Sequence, residues 1–231
     1  MKKGVLNFYL LVVILVLSFS QTYAQKSGTG NWFAYFGNQA INKKWNWWNE
    51  VQYRSYNFIS DRQQLLLRTG IGYNLTENNN NVALGYAYIN SQNYLPGTEE
   101  KISTDEHRIY QQFLTRQNFG RVFLQHRYRI EERFLPDDFK MRFRYFLSLN
   151  VPINNKTLSR NTIYASLYNE IFLNGEKPVF DRDRLYGGLG YVITPALRME
   201  LGYMSQILET TSRGQFQVLF FNNLALFKSK D

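Results

Sequence analysis

From Arg121 to Arg133 the chain alternates. Val122, Leu124, His126, Tyr128 and Ile130 fall on one parity, and Arg121, Gln125, Arg127, Arg129, Glu131 and Arg133 on the other. Successive side chains of an extended chain leave on opposite sides, so only a repeat of two sorts residues in this way. The stretch is a two-faced β-strand, and a strand with one arginine-rich face and one aromatic and aliphatic face needs neighbours divided in the same manner. The chain supplies them: strands are expected at about 32–39, 45–56, 63–74, 81–92, 104–117, 121–134, 140–152, 161–173, 182–193, 196–207 and 216–227. The apolar parity runs through Trp47, Val51 and Tyr53, then Leu65, Leu67 and Ile71, then Val82, Leu84 and Tyr86, and returns in Met141 to Leu149, Ile163 to Ile171 and Leu197 to Tyr203. Glu50, Arg54, Arg68, Arg142, Arg144, Glu170, Arg184, Arg198 and Glu200 take the opposite parity. Gly70, Gly72, Gly85, Gly188, Gly190 and Gly202 share that polar face, where small residues would leave room for long arginines or let the wall bend.

The first residues read as an export leader. Lys2 and Lys3 are followed by the apolar run Val5 to Phe19 and by Thr22-Tyr23-Ala24, so cleavage is expected after Ala24, with residues 1–24 as signal peptide and 25–231 as one domain. The run is shorter than the ~20 apolar residues of a spanning helix, and no later stretch approaches it. The chain has no cysteine, which excludes a disulfide framework, a thiolate metal site and a lipid-anchored lipoprotein.

Aromatic residues make up 17% of the chain, yet the mean hydropathy is −0.40. They are dealt out singly along alternating segments rather than gathered into core runs, which suits rings at the headgroup level of a membrane. The fold class expected is all-β: a closed antiparallel transmembrane β-barrel of ten to twelve strands in the cell outer membrane. Ile41-Asn42, Leu75-Thr76, Asn118-Phe119-Gly120, Ile153-Asn154 and Ile193-Thr194 mark short turns, expected in the periplasm, and the connections between them read as longer loops. An even strand number is expected, ten or twelve, with Trp32 to Gln39 as an extra strand or a plug. The last strand, ending Phe220 to Phe227, resembles the signal read by the barrel-assembly machinery, an expected partner together with outer-membrane lipid.

The stretches Glu106 to Gln112, Gln125 to Arg133, Arg142-Phe143-Arg144-Tyr145, Tyr168-Asn169-Glu170 and Arg184 to Tyr191 together resemble the exported family known as domain of unknown function 2490, found in Bacteroidota and treated as outer-membrane β-barrels. The resemblance spans about Trp32 to Phe227. It implies fold and location, and the family has no established activity to carry over.

The strongest chemical constellation is Glu106, Arg108, Arg127, Arg129, Glu131, Arg142, Arg144, Glu170 and Arg184, all on the non-lipid parity and expected on neighbouring staves. Guanidinium forks pair two-to-two with carboxylates, so a lumen packed by such pairs is one reading. Arginine outnumbers acid, which makes a narrow anion-preferring passage the other. An outer-membrane hydrolase acting on phospholipid or lipid A is the alternative class. Lipid-acting barrels resemble one another in a His-x-Ser pair, whereas His107 is followed by Arg108 and Ile109, and His126 by Arg127 and Tyr128. Barrel proteases need a histidine near acidic pairs such as Asp137-Asp138, and no expected loop holds one. No cofactor is expected. Two histidines and no cysteine argue against a transition metal, and Asp181 with Asp183 would suit a loop calcium ion without other support in the sequence. A formal net charge of +9 would suit nucleic acid, but arginines and aromatics lie on opposite faces, so no nucleic acid is expected. The reading is a barrel that is structural or a narrow passive channel, without enzymatic activity.

Overall fold

The computed structural model describes residues 29–76 and 79–227, so the leader expected at 1–24 lies outside the described residues. Eleven strands follow in sequence: β1 (Gly30–Ala40), β2 (Trp45–Ser55), β3 (Arg62–Asn74), β4 (Asn81–Tyr94), β5 (Lys101–Phe119), β6 (Val122–Leu135), β7 (Asp138–Pro152), β8 (Ile163–Asn174), β9 (Phe180–Thr194), β10 (Leu197–Ile207) and β11 (Ser212–Asn222). Each pairs antiparallel with its neighbours in the chain, and β1 meets β11 in parallel, closing the barrel. All-β closure therefore stands as expected, but the even count does not. The Trp32 to Gln39 segment is a full stave, β1, rather than a plug. An odd number of strands forces one parallel pair, and here that seam has the shortest register, eight residue pairs against ten in β1–β2 and fourteen in β4–β5.

Odd strand number also separates the termini. The amino rim, where β1 begins, carries connections 56–61, 95–100, 136–137, 175–179 and 208–211. The carboxyl rim, where β11 ends, carries 41–44, 75–80, 120–121, 153–162 and 195–196. The expected contrast of short turns and long loops is absent. Strands β4 and β5 run on through polar residues such as Asn93 and Ser103, while 153–162 on the supposed short side is the longest connection. Strand β11 stops at Asn222, so Phe227 lies beyond it, and the Leu226 amide instead donates to the Ala40 carbonyl at 3.0 Å.

Alternation sorts the wall as the sequence implies. Leu84, Leu189 and Leu201 point outward and are 60%, 57% and 53% exposed. Aromatic pairs stand at both rims: Trp45 and Tyr73 (ring centroids 4.9 Å apart) at the carboxyl rim, and Tyr56 with Tyr94 (5.1 Å) and Phe134 with Phe139 (5.3 Å) at the amino rim. Inside, Trp32, Ala34, Tyr186, Met204 and Leu219 form a buried apolar cluster, with Phe36, Tyr168 and Phe221 against it.

Gly70, Gly85, Gly188, Gly190 and Gly202 make room for tyrosines rather than arginines, whereas Gly72 lies against the Asn46 amide. Gly70 on β3 faces Gly85 on β4, and the Tyr110 ring of β5 lies over both while its hydroxyl donates to the Thr69 carbonyl at 3.3 Å. Tyr186 covers Gly188 and Gly202, and Tyr164 covers Gly190, its cross-strand partner. A Cβ at any of these would fall against ring atoms, so the ring and the glycine specify one another. Gly190→Val should therefore destabilise the barrel by roughly 1–3 kcal/mol, with Tyr164→Ala restoring part of the loss. Urea unfolding in detergent micelles measures both, and full stability of the single variant would contradict the packing.

Candidate functional site

The nine residues singled out from the sequence come together. Register sets Arg108 opposite Arg133, Glu131 opposite Arg142, Arg129 opposite Arg144 and Glu170 opposite Arg184, all on inward positions of β5 to β9. Arg129 faces another arginine across the strands and would be repelled unless carboxylates stood between. Glu131 supplies that function from the centre of the lumen, where it is 0% exposed. It accepts from Arg144 at 2.5 Å through one oxygen and from Arg142 at 2.6 Å through the other, and Arg108 lies at 3.4 Å. Arg68 on β3 reaches across the bore to within 3.6 Å of the same carboxylate, and Arg129 lies at 3.7 Å.

The network extends to both sides. Glu170 accepts from Arg127 at 2.7 Å and from Arg144 at 2.6 Å, with Arg184 at 3.7 Å. Arg144 thus bridges two carboxylates, a task that the planar fork suits and an ammonium group does not. Glu106 is held by Arg108 (2.6 Å) and Arg133 (2.5 Å). Glu50 takes Arg68 at 2.6 and 2.7 Å and Trp48 Nε1 at 3.1 Å. Arg129 finds its bonds on Gln112 Oε1, at 2.6 and 3.1 Å, and lies over the Tyr110 ring at 4.6 Å. Glu50, Arg68, Arg133 and Gln112 thus belong to the same layer. Glu50 and Arg68 are direct cross-strand partners on the polar parity, so the signal for them lies in the alternation and register together.

Arginine exceeds acid throughout the lumen. A cavity of about 730 Å³ runs along it, lined by residues of both halves. On the amino-rim side of the charged layer stand Arg54, Arg182 and Arg213 among Gln63, Gln64, Gln206, Ser91 and Asn93. Arg54 lies 3.7 Å over the Trp32 ring and bonds Gln52, and Arg182 donates to Asp181. Arg213 stacks on Tyr56, and its Nε and one terminal nitrogen are buried without a partner among the described residues. On the carboxyl-rim side a ladder of amides, Asn38, Asn46, Asn81 and Asn74, links four strand ends with bonds of 2.6 to 2.8 Å. Sequence reading passed over these asparagines because amides carry no charge pattern.

The other residues weighed for chemistry lie apart. His107 and His126 are on the outer wall, His107 opposite Phe134 and His126 opposite Thr115, well separated along β5. Each pairs with a tyrosine hydroxyl, His107 with Tyr86 at 2.5 Å and His126 with Tyr145 at 2.9 Å. Asp181 turns inward to Arg142 (3.1 Å) at the bulge of β9, whereas Asp183 faces outward and accepts from Asn169 at 2.7 Å, so the two do not converge on one ion. Among the described residues no group of three metal-ligating side chains comes together. At the amino rim, burial opposes the charge of Asp61, but its bonds from Lys101 and Tyr94 outweigh that and hold the carboxyl below its usual range.

Loss of Glu131 would leave several buried guanidiniums facing one another. Glu131→Gln should cost ~3–5 kcal/mol. Arg127→Leu should cost roughly half that or less, because Glu170 keeps Arg144. Urea titration of the two variants in micelles gives the comparison, and equal losses would contradict the network's hierarchy.

No curated protein and no solved structure matches the chain. Residues 29–217, from the start of β1 into β11, match the family described as protein of unknown function, DUF2490. The chain belongs to that family.

Proposed function

We propose that this chain is an outer-membrane β-barrel whose lumen is a narrow passage preferring small anions, without enzymatic activity. The location rests on the outer wall. Leu84, Leu167, Leu189, Leu201 and Phe216 are all more than half exposed, and an apolar band closed into a cylinder with aromatic pairs at both rims is the surface that hydrocarbon covers. Outer-membrane lipid is then its solvent, and the barrel-assembly machinery its partner during insertion. The observation that carries the anion preference is the excess of guanidinium groups along a cavity lined from both halves, with Arg54 and Arg213 bound to no carboxylate among the described residues. The ion-pair layer around Glu131 spans the bore, Arg68 of β3 lying 3.6 Å from that carboxylate, and its arginines offer a transient site to an anion at that level. The outer-wall histidines, each occupied by a tyrosine, favour an aromatic girdle over a hydrolytic centre.

In planar bilayers the barrel should conduct far less than the water-filled sixteen-stranded porins, with a reversal potential displaced towards chloride under a KCl gradient. Arg54→Gln with Arg213→Gln should reduce that displacement. A silent or cation-preferring barrel would overturn the reading, and cleavage of labelled phospholipid or lipid A by the pure protein would favour a hydrolase instead. For the location, Leu147→Arg and Leu167→Arg should each destabilise the inserted barrel by ~2–4 kcal/mol. Unchanged stability in lipid bilayers would count against a membrane-facing wall.

A further inference from the structure

The charged layer divides the lumen into halves of different chemistry. Apolar side chains gather in the carboxyl-rim half, where Phe36, Trp48, Leu114, Phe123, Phe221 and, from the 153–162 connection, Leu158 line the cavity together with Asn38, Asn118, Gln125, Ser148 and Asn150. Two guanidinium groups line the same half without a carboxylate within 4 Å among the described residues. Arg116 on β5 bonds only Gln125 Oε1 among side chains, at 3.2 Å. Arg198 on β10 lies 4.4 Å over the Phe221 ring, and its Nε is buried without a partner. Both line the same cavity. Glu200 forms an ion pair with neither, and its oxygens accept from the Tyr164 hydroxyl at 2.8 Å and the Ser166 hydroxyl at 2.9 Å.

We infer that this half of the lumen binds a single-chain anionic amphiphile, an acyl chain ending in a carboxylate or phosphate. Guanidinium groups that meet no carboxylate within 4 Å among the described residues leave donors unused, and an anionic head satisfies them. The rings and leucines among these residues match a hydrocarbon chain, and Trp48 Nε1 is already bonded to Glu50. A simple inorganic anion would leave the apolar side chains of this half uncovered. The rim outside carries the same preference. By sequence, its connections hold Lys43, Lys44, Arg121, Lys156 and Arg160 against the single acid Glu77, an excess of positive charge that draws an anionic head towards this end. The site does not require ions to cross the charged layer, so it stands or falls separately from the passage proposed above.

The test uses the full mature chain in dodecyl maltoside, a neutral detergent, with 11-(dansylamino)undecanoate as the fluorescent probe. Binding should be saturable and reversed by palmitate, with hexadecanol at least about tenfold weaker for want of the charge-assisted bonds. Inorganic phosphate should not compete, and lysophosphatidic acid competing better than palmitate would identify phosphate as the preferred head. Arg116→Gln with Arg198→Gln should weaken probe binding by about tenfold or more, with heat-modified gel mobility unchanged. Arg54→Gln with Arg213→Gln, in the other half, should not. Should the double variant fail to fold, Leu158→Asp, in a half-exposed connection, should weaken binding from the tail side. Absence of saturable binding, equal competition by hexadecanol, competition by phosphate alone, or unchanged affinity in both the arginine and Leu158 variants would overturn the inference.

Discussion

Closing eleven strands into a cylinder leaves an inner row of side chains with no second layer to pack against, and the structure depends on how that row is filled. Guanidinium and carboxylate groups fill it here. Buried charges are costly unless each is paired and hydrogen-bonded, and the lumen meets that demand by sharing. Glu131 accepts from two arginines of the adjacent strand β7 and is approached from the far wall by Arg68, so one carboxylate ties β3 to β6 and β7 across the bore. Backbone closure and the charge network are then mutually dependent. The register that pairs the strands sets Arg144 between Glu131 and Glu170, and the bonds that result hold that register.

The surplus of arginine gives the interior its character. A network balanced in charge would be packing and little more. Here the groups beyond the four glutamates of the central layer project above and below it, onto Trp32 and Tyr56 on one side and onto Phe221 on the other. Stacking on aromatic faces satisfies a guanidinium partly and leaves its edge available. The parallel seam adds asymmetry: β1 and β11 contribute Trp32, Ala34, Phe36, Leu219 and Phe221, so the wall with the shortest register is also the most apolar inside. The lumen is therefore amphipathic in cross-section as well as divided along its length, which distinguishes it from a uniformly wet pore.

Much of this is legible in the sequence because a repeat of two is local. The alternation that sorts Leu124 and Tyr128 from Arg127 and Arg129 needs no knowledge of partners, and it gave the inward and outward assignment and placed all nine charged residues of the site on one face. Features set by distant pairing were not legible. β1 closes the barrel through residues more than 180 positions away, and nothing in Trp32 to Gln39 distinguishes a parallel partner from an antiparallel one. The connection expected at 93–103 is shorter because pairing between β4 and β5 carries Asn93, Tyr94 and Lys101 to Ser103 into strand, Asn93 and Lys101 against their weak β propensity. By sequence alone the inward glycines leave room for arginines or let the wall bend; that Tyr110, Tyr164 and Tyr186 cover five of them and Asn46 lies at Gly72 depends on strand stagger that one sequence does not reveal.

The absence of cysteine allows the division of the wall to be measured directly. Single cysteines at positions 142 to 149 of β7, carrying nitroxide labels in lipid bilayers, report collision with oxygen, which concentrates in hydrocarbon, and with a water-soluble nickel chelate. The account requires oxygen accessibility to rise at 143, 145, 147 and 149 and to fall at 142, 144, 146 and 148. Alternation of the opposite phase, or none at all, would contradict it.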